Sequence, residues 1–168
     1  MLSGKLSIRE KPNLHNPRLL LGLSGWMDGG EVSIGTVQCL IERVGAREFA
    51  EIDPNGFYIS SFPGSMEITS LFRPHTKITE GLIESLERPV NTFLCSESND
   101  LILFKGKEPN LNWGEFGECI FSLCNEFGVE MIYFIGSVAG LVPHTLSLIH
   151  ISEPTRPLYI SYAVFCLK

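Results

Sequence analysis

The sequence lacks an excess of basic residues. Its 168 residues contain 13 Lys and Arg against 19 Asp and Glu, which gives a net charge of −6 at pH 7. Proteins that neutralise the phosphates of DNA or RNA carry a basic surface, so nucleic acid is not an expected partner. Charged residues are also scarce, at 19%, whereas 44% of the residues are hydrophobic. This composition excludes a disordered chain and predicts one domain with a buried core.

Cysteine patterns typical of disulfides or metal sites are missing as well. The five cysteines are odd in number and no pair has the C-x-x-C spacing: Cys39, Cys95, Cys119, Cys124 and Cys166. A chain of this length does not depend on disulfides, so we expect a reducing, cytoplasmic location. No H-E-x-x-H motif is present, and the first apolar run, residues 19–23, is too short for an export signal. We therefore expect no metal, no cofactor and no export.

One segment without charge has the length of a membrane span. Residues 131–152 contain no Asp, Glu, Lys or Arg, but two glycines, one proline and two histidines interrupt them. A helix in lipid would need partners for every backbone group freed at such a break. We interpret the segment as a buried strand followed by a turn, and expect no membrane association.

The first half of the chain predicts a strand, a helix and a second strand. Residues 19–23 form a short apolar run, typical of a strand that is buried on both faces. Asp28, with a glutamate three residues later, predicts a capped helix start, and Gly45 predicts the left-handed end of that helix. Residues 48–52 predict the second strand, which we expect to be parallel to the first through a right-handed crossover.

The same order recurs later. Residues 101–104 predict a strand, and Asn112, again with a glutamate three residues later, predicts a capped helix that ends at Gly128. Apolar side chains recur along one stripe of this helix, and residues 131–135 predict another strand. The two units together indicate an α/β fold with a mostly parallel sheet.

Between the two units the pattern is weaker. Residues 56–62 and 91–95 have the aromatic and β-branched content of strands. Residues 77–88 suit either a helix or a bent strand, because Gly81 interrupts an apolar run and a proline follows Arg88.

Three glycine-rich turns, at residues 25–30, 106–113 and 136–144, each follow a predicted parallel strand. The carboxyl ends of parallel strands meet at one edge of a sheet, and ligands bind in the crevice outside that edge. We therefore predict a binding rim there. Its candidate residues are Gly25, Trp26, Asp28, Gly29, Gly106, Glu108, Trp113, Gly136, Pro143 and His144.

No catalytic template fits these turns. Residues 25–30 can present backbone N–H groups to an anion, or form a tight turn in which Asp28 caps a helix. They match neither G-x-G-x-x-G nor the phosphate loop, which also requires a lysine. Ser137 stands second in its glycine-bounded stretch, whereas the G-x-S-x-G motif places the serine at the centre. We assign no catalytic residue.

Other rim residues each have two interpretations. Lys105, Lys107 and Glu108 suit a solvated turn, or an ion-paired or catalytic lysine. Trp113 suits a packing anchor or a contact to a partner. His144 suits acid–base chemistry or a hydrogen bond within a turn.

An ordered series of short motifs spans about residues 15–145. The series is Gly25-Trp26-x-Asp28, Phe57-Tyr58, Arg73-Pro74, Leu103-x-x-Gly106-x-Glu108-Pro109, Trp113 with Phe116, and Gly136 with Val142-Pro143-His144-Thr145. In order and spacing it resembles the proteasome assembly chaperone family, whose prokaryotic members are also labelled ATP-grasp-like or carboxylate-amine ligases.

The resemblance implies a three-layer α/β/α domain, phosphorylase- or hydrolase-like, without established catalytic residues. Better-studied relatives bind proteasome α-subunits during ring assembly. We therefore expect a chaperone-like protein that binds proteasome-like or other ring subunits and forms homo-oligomers. The alternative is a ligase or hydrolase of small carboxylates that uses the same rim.

The tail departs from the family pattern. Chaperone members dock through a hydrophobic residue, a tyrosine and a final residue, whereas this chain ends Phe165-Cys166-Leu167-Lys168. Residues 146–157 resemble translated sequencing-adapter read-through. We expect residues 1–145 to be the N-terminal part of one α/β domain that is incomplete at its C-terminus, and residues 146–168 to be a non-native tail.

Overall fold

The computed structural model describes residues 4–61, 63–74, 76–86, 89–138 and 162–167, and the side chains of residues 71, 72 and 162–167 are not described. These residues form a seven-stranded main sheet, a separate two-stranded sheet, and helices that pack against the main sheet. In chain order the elements are β1 (Leu6–Ile8), β2 (Arg18–Ser24), α1 (Val32–Val44), β3 (Arg47–Ile52), α2 (Met66–Phe72), β4 (Thr76–Thr79), β5 (Leu82–Leu86), β6 (Thr92–Ser96), β7 (Leu101–Lys107), α3 (Trp113–Phe127), β8 (Met131–Ser137) and β9 (Tyr162–Leu167).

The main sheet is mixed, with its parallel pairs at the centre. The described strands follow the order β1-β3-β6-β7-β2-β8-β9. β2 pairs in parallel with β7 and with β8, whereas the outer pairs are antiparallel. β3 runs in the direction of β2, as predicted, but pairs with β1 and β6 and is separated from β2 by two strands. The predicted α/β class is confirmed, and the parallel part of the sheet is β7-β2-β8.

Alternate residues of β2 pack against different helices, because successive side chains of a strand point to opposite faces. Leu19 and Leu21 lie in the cluster that contains Phe116 of α3. Leu20 lies in the cluster that contains Val37 of α1. The continuous apolar run that predicted β2 therefore reflects burial on both faces.

Phenylalanine rings fill the α3 side of the core. Phe93 and Phe104 have ring centroids 4.5 Å apart, and Phe57 meets Phe116 edge-on at 5.2 Å. All four side chains are at most 1% exposed. The predicted apolar stripe of α3 is confirmed, since Ile120 and other stripe residues are buried in the same cluster.

Both long helices end where the sequence predicts, but their N-terminal caps differ from the predicted ones. Gly45 and Gly128 end α1 and α3 with φ of 59° and 64°, in the left-handed region that glycine favours. Asn112 precedes α3 but has φ of 54°, and its side chain makes no cap hydrogen bond. It donates instead to the Gly56 carbonyl at 3.1 Å, so the predicted Asn112 cap is wrong.

The start of α1 also differs from the prediction. A turn of 3-10 helix, Gly29–Glu31, lies between Asp28 and the helix, and Glu31 has a left-handed φ of 57°. The Asp28 carboxylate still binds the helix start, accepting from the Ser33 amide at 2.7 Å and from the Ile34 amide at 3.3 Å. Asp28 therefore caps α1 across the extra turn, whereas Glu31 cannot complete the predicted capping box.

The middle of the chain contains the largest errors of prediction. Residues 56–61 form a turn and a loop rather than a strand, with Gly56 at φ of 84°. Phe57 accounts for the strand-like composition of this loop. Its side chain is fully buried in the core although its backbone belongs to a turn. The described part of the ambiguous region, residues 77–86, lies in the β4–β5 hairpin, with Gly81 at φ of 81° in its turn, so the helical alternative is wrong there. β1 and α2 were not predicted.

Part of the predicted rim and tail lies outside the described residues. Pro143, His144 and residues 146–161 fall there. Tyr162–Leu167 forms β9 at the edge of the sheet and pairs with β8. None of the described helices is long and apolar enough to cross a membrane.

Candidate functional site

The ends of β2, β7 and β8 define the candidate site. These strands are parallel neighbours and end at Ser24, Lys107 and Ser137, with Ser24 paired to Lys107. Their carboxyl ends therefore share one edge of the sheet, which is the geometry from which the rim was predicted. Gly25, Trp26, Asp28, Gly29, Glu108 and Trp113 follow these strands.

Two predicted rim glycines lie inside strands instead of in turns. β7 and β8 each extend farther than predicted, so Gly106 and Gly136 are their penultimate residues, and both are buried. A Cβ atom at Gly106 would lie 2.7 Å from Cε1 of the Phe104 ring. The absence of a side chain there serves close packing within the fold.

Glu108 holds the loop after β2. Its carboxylate accepts hydrogen bonds from the backbone amides of Trp26 and Met27, at 3.0 Å and 2.9 Å. Its own amide donates to the Ser24 carbonyl at 2.8 Å. The pair of N–H groups that could bind an anion therefore exists, and the chain's own carboxylate occupies it.

Gly25 makes this arrangement possible. Its φ is 143°, which L-residues rarely adopt, and a Cβ atom would lie 2.8 Å from Oε2 of Glu108. The glycine and the glutamate, which belong to two different motifs, therefore form one structural unit.

Residues after Gly25 are also tied to β8. The Ser137 amide donates to the Met27 carbonyl at 2.7 Å, and the Ser137 hydroxyl donates to the Gly29 carbonyl at 2.7 Å. Asp28 forms an isolated parallel bridge with Ser137. Ser137 is 3% exposed, so its hydroxyl supports the loop and does not face a substrate.

Ser33 bridges β2 and β8 beside the rim. Its fully buried hydroxyl accepts from the Leu23 amide at 3.1 Å and donates to the Ile135 carbonyl at 2.6 Å. The last paired residues of β2 and β8 are Gly22 and Ile135, so the hydroxyl joins the strands where their ladder ends. Nothing in the sequence pattern marked Ser33, because its partners are fixed only by the sheet order.

The two tryptophans that follow β2 and β7 are exposed. Trp26 is 75% exposed in the loop that Glu108 holds, and Trp113 is 54% exposed at the start of α3. Trp113 contacts Phe116 edge-on, with ring centroids 6.5 Å apart, so it has both a packed side and an open side. Exposed indole rings on a rigid base are typical of surfaces that bind other proteins.

A polar network supports the end of β7. The Tyr58 hydroxyl lies 2.7 Å from Oδ1 of Asn91 and 2.8 Å from the Lys107 carbonyl, and the Lys107 amide donates to the same Oδ1 at 3.2 Å. Burial raises the pKa of Tyr58 to about 12. Nδ2 of Asn91 is buried without a hydrogen-bond partner. The Asn91 part of this network was not predicted.

The ionisable groups of the described residues make no catalytic arrangement that we can identify. Nζ of Lys105 donates to Oε1 of Gln38 at 2.8 Å, and Glu108 is engaged with backbone amides. No group of three or more His, Cys, Asp and Glu within this part of the chain could hold a metal ion. Burial raises the pKa of the Cys124 thiol to about 11, which disfavours the reactive thiolate.

Comparison with solved structures shows the same fold in bacterial proteins. A protein of unknown function from Corynebacterium glutamicum matches 84% of this chain and 53% of its own, with 20% identity and a TM-score of 0.67. A proteasome-assembly chaperone homologue from Mycobacterium tuberculosis matches 77% of this chain and 52% of its own, with 22% identity and a TM-score of 0.63. A PAC2 family protein from Streptomyces avermitilis matches 77% and 53%, with 24% identity and a TM-score of 0.61.

The chain spans about half the length of these structures. No curated protein matches the sequence significantly. The model of the PAC2 family matches residues 22–164, which is well over half of the chain and includes the loops after β2 and β7. The chain therefore belongs to the PAC2 family.

Proposed function

We propose that this chain is a chaperone-like, protein-binding member of its family, and that the rim around Trp26 and Trp113 is its binding surface. The observation that carries this proposal is the exposure of two indole rings: Trp26, 75% exposed on the loop that Glu108 fixes, and Trp113, 54% exposed at the start of α3. A rigid loop that presents an aromatic ring binds a partner with little loss of conformational entropy.

The proposed partner is a subunit of a proteasome-like or other ring. The name of the Mycobacterium tuberculosis homologue, a proteasome-assembly chaperone homologue, supports this choice of partner. We further propose a cytoplasmic location, self-association into a homo-oligomer, and a three-layer α/β/α domain of the phosphorylase or hydrolase type. The position of α1 and α3 in separate core clusters supports the layered arrangement.

The alternative, a ligase or hydrolase of small carboxylates, receives less support. A ligase that uses a nucleotide needs backbone or lysine donors for phosphate. At the loop after β2, Glu108 accepts from the amides of Trp26 and Met27, and Asp28 accepts from the amides of Ser33 and Ile34 in α1. A phosphate there would have to displace a carboxylate of the chain itself.

Binding measurements with purified proteasome α-subunits test the proposal. We expect Trp26→Ala and Trp113→Ala each to weaken binding by more than about 1 kcal/mol, as interface anchors do, without loss of the fold. Phe121→Ala is the matched control, since Phe121 is 55% exposed two turns along α3 from Trp113. Equal binding by all three variants would contradict the proposed surface. Micromolar, magnesium-dependent binding of ATP in calorimetry would favour the ligase alternative.

A further inference from the structure

The loop that leads into Trp113 is held by a second loop that is distant in the sequence. Residues 108–112 connect β7 to α3. The backbone amides of Asn110 and Leu111 both donate to the carbonyl of Phe57, at 2.8 Å and 3.0 Å. The ring of Phe57 is fully buried in the core. Its carbonyl is therefore a fixed point to which the loop before Trp113 is attached.

The side chains of two asparagines add to these backbone contacts. Oδ1 of Asn110 accepts from the Ile59 amide at 3.2 Å, and Nδ2 of Asn112 donates to the Gly56 carbonyl at 3.1 Å. The two carboxamides therefore bind the backbone of the same loop on either side of Phe57. Asn112 also has a left-handed φ of 54°, which asparagine tolerates better than most residues do. Residue type and contact agree at this position.

The start of α3 needs such support from outside the helix. The first N–H groups of a helix have no partner within it, so the order of the first turn depends on contacts with flanking residues. Asn112 precedes the helix, but its side chain makes no cap hydrogen bond and binds the Gly56 carbonyl instead. Lys5 adds a further link, since its Nζ lies 4.3 Å from the centroid of the Phe57 ring and 3.1 Å from Oε2 of Glu115 in the first turn of α3.

We propose that Asn110 and Asn112 are positioning residues, which hold the ring of Trp113 in the direction that a partner contacts. Glu108 has the corresponding role for Trp26, through different hydrogen bonds. The rim therefore presents its two indole rings on two independent supports. This inference rests on the proposed function for its effect on binding, but not for its effect on the mobility of the ring.

The mobility of each ring can be measured separately, because the sequence contains two tryptophans. In a Trp26→Phe background the fluorophore is Trp113, and in a Trp113→Phe background it is Trp26. Time-resolved fluorescence anisotropy separates the fast motion of the ring from the tumbling of the whole protein. The variant tested in both backgrounds is Asn110→Ala/Asn112→Gly, which removes both carboxamides. Glycine at position 112 adopts the left-handed φ without strain.

The expected result is a crossed pattern. In the double asparagine variant, the fraction of the Trp113 anisotropy that decays by fast ring motion should increase about two-fold, whereas that of Trp26 should not change. Glu108→Gln should have the opposite pattern, with a more mobile Trp26 and an unchanged Trp113. Asn125→Ala, at an exposed asparagine of α3, is the matched control and should change neither ring.

Two outcomes of this measurement would overturn the proposal. One is an unchanged anisotropy of Trp113 in the double asparagine variant. The other is an equal increase for both rings, because a general loss of packing would loosen both. Urea unfolding of each variant checks that the fold is retained. No partner is needed, so the result does not depend on the proposed function.

Binding to proteasome α-subunits then separates the positioning role from the proposed function. In the chain with both tryptophans, the double asparagine variant should bind at least about two-fold more weakly than the wild type, because its Trp113 ring must become ordered on binding. Wild-type affinity of this variant would overturn the positioning role. Wild-type affinity of Trp113→Ala would overturn the proposed surface instead.

Discussion

Glu108 provides the sharpest test of how the rim is built. Its carboxylate accepts two backbone hydrogen bonds from the loop after β2, at 3.0 Å and 2.9 Å. A hydrogen bond to a charged group contributes about 1.5–3 kcal/mol when buried, and less where water competes. Because the Trp26 amide is exposed, we expect Glu108→Ala to lower the free energy of unfolding by about 1–2 kcal/mol in total.

Part of this loss should appear with the smaller change Glu108→Gln. The side-chain amide that this substitution introduces would turn its N–H donors towards a backbone N–H donor, so only one of the two hydrogen bonds could remain. Urea-induced unfolding measures the free energy, and the m-value shows whether the transition is unchanged. For a chain of this size, a loss of 1 kcal/mol corresponds to a Tm decrease of about 2–4 °C.

Glu118→Gln is the matched control for Glu108→Gln. Glu118 is exposed on α3, so the substitution removes the same charge without the loop contact, and we expect a change within about 0.5 kcal/mol. If Glu108→Gln changes stability no more than Glu118→Gln does, the carboxylate does not hold the loop, and the reasoning about the rim fails.

Three further predictions concern the network, the strand junction and the tail. Tyr58 has a pKa raised to about 12 by burial, against an ordinary value of 10.0. Its contribution to stability is complete below pH 10 and is lost as the pH rises towards 12, because the unfolded chain loses the phenol proton first. Urea unfolding at pH 9, 10 and 11 should therefore show the free energy of unfolding of the wild type falling by about 1 kcal/mol relative to that of Tyr58→Phe, after allowance for partial exposure. A constant difference between the two would contradict this. Ser33→Ala should cost about 1–3 kcal/mol in the same assay, because the buried Leu23 amide and Ile135 carbonyl lose their partner, and a cost below about 0.5 kcal/mol would count against the bridge. Genomic sequencing through Thr145 should give a different sequence from residue 146 onwards, whereas reads that confirm residues 146–168 would refute a non-native tail.

Local sequence patterns predicted the elements whose causes are local. The apolar run predicted β2 because a strand that is buried on both faces needs apolar residues throughout. Gly45 and Gly128 predicted the ends of α1 and α3 because the left-handed φ at a helix end favours glycine. The shared edge of β2, β7 and β8 followed from the order of the elements. The α/β class and the described part of the rim's framework could therefore be derived without coordinates.

Long-range contacts account for what the patterns missed. Phe57 is of a residue type that favours strands, but it lies in a loop and packs against Phe116 of α3. Asn112 is of a residue type that favours helix caps, but its side-chain amide donates to the Gly56 carbonyl instead. Ser33 and Glu108 act on partners whose proximity depends on the sheet order. No periodicity in the sequence reports such contacts.

The structure also changes what the rim motifs mean. Gly25 and Glu108 lie 83 positions apart in the sequence, yet a Cβ atom on the glycine would lie 2.8 Å from the carboxylate. Asp28 and Ser137 join the same loop to α1 and β8. Gly25, Asp28 and Glu108 are therefore used in fixing the loop, and the two carboxylates and the Trp26 and Met27 amides are already paired inside the chain. The side chain that the loop still exposes is the indole ring of Trp26, which supports the proposed protein-binding surface over a small-ligand site.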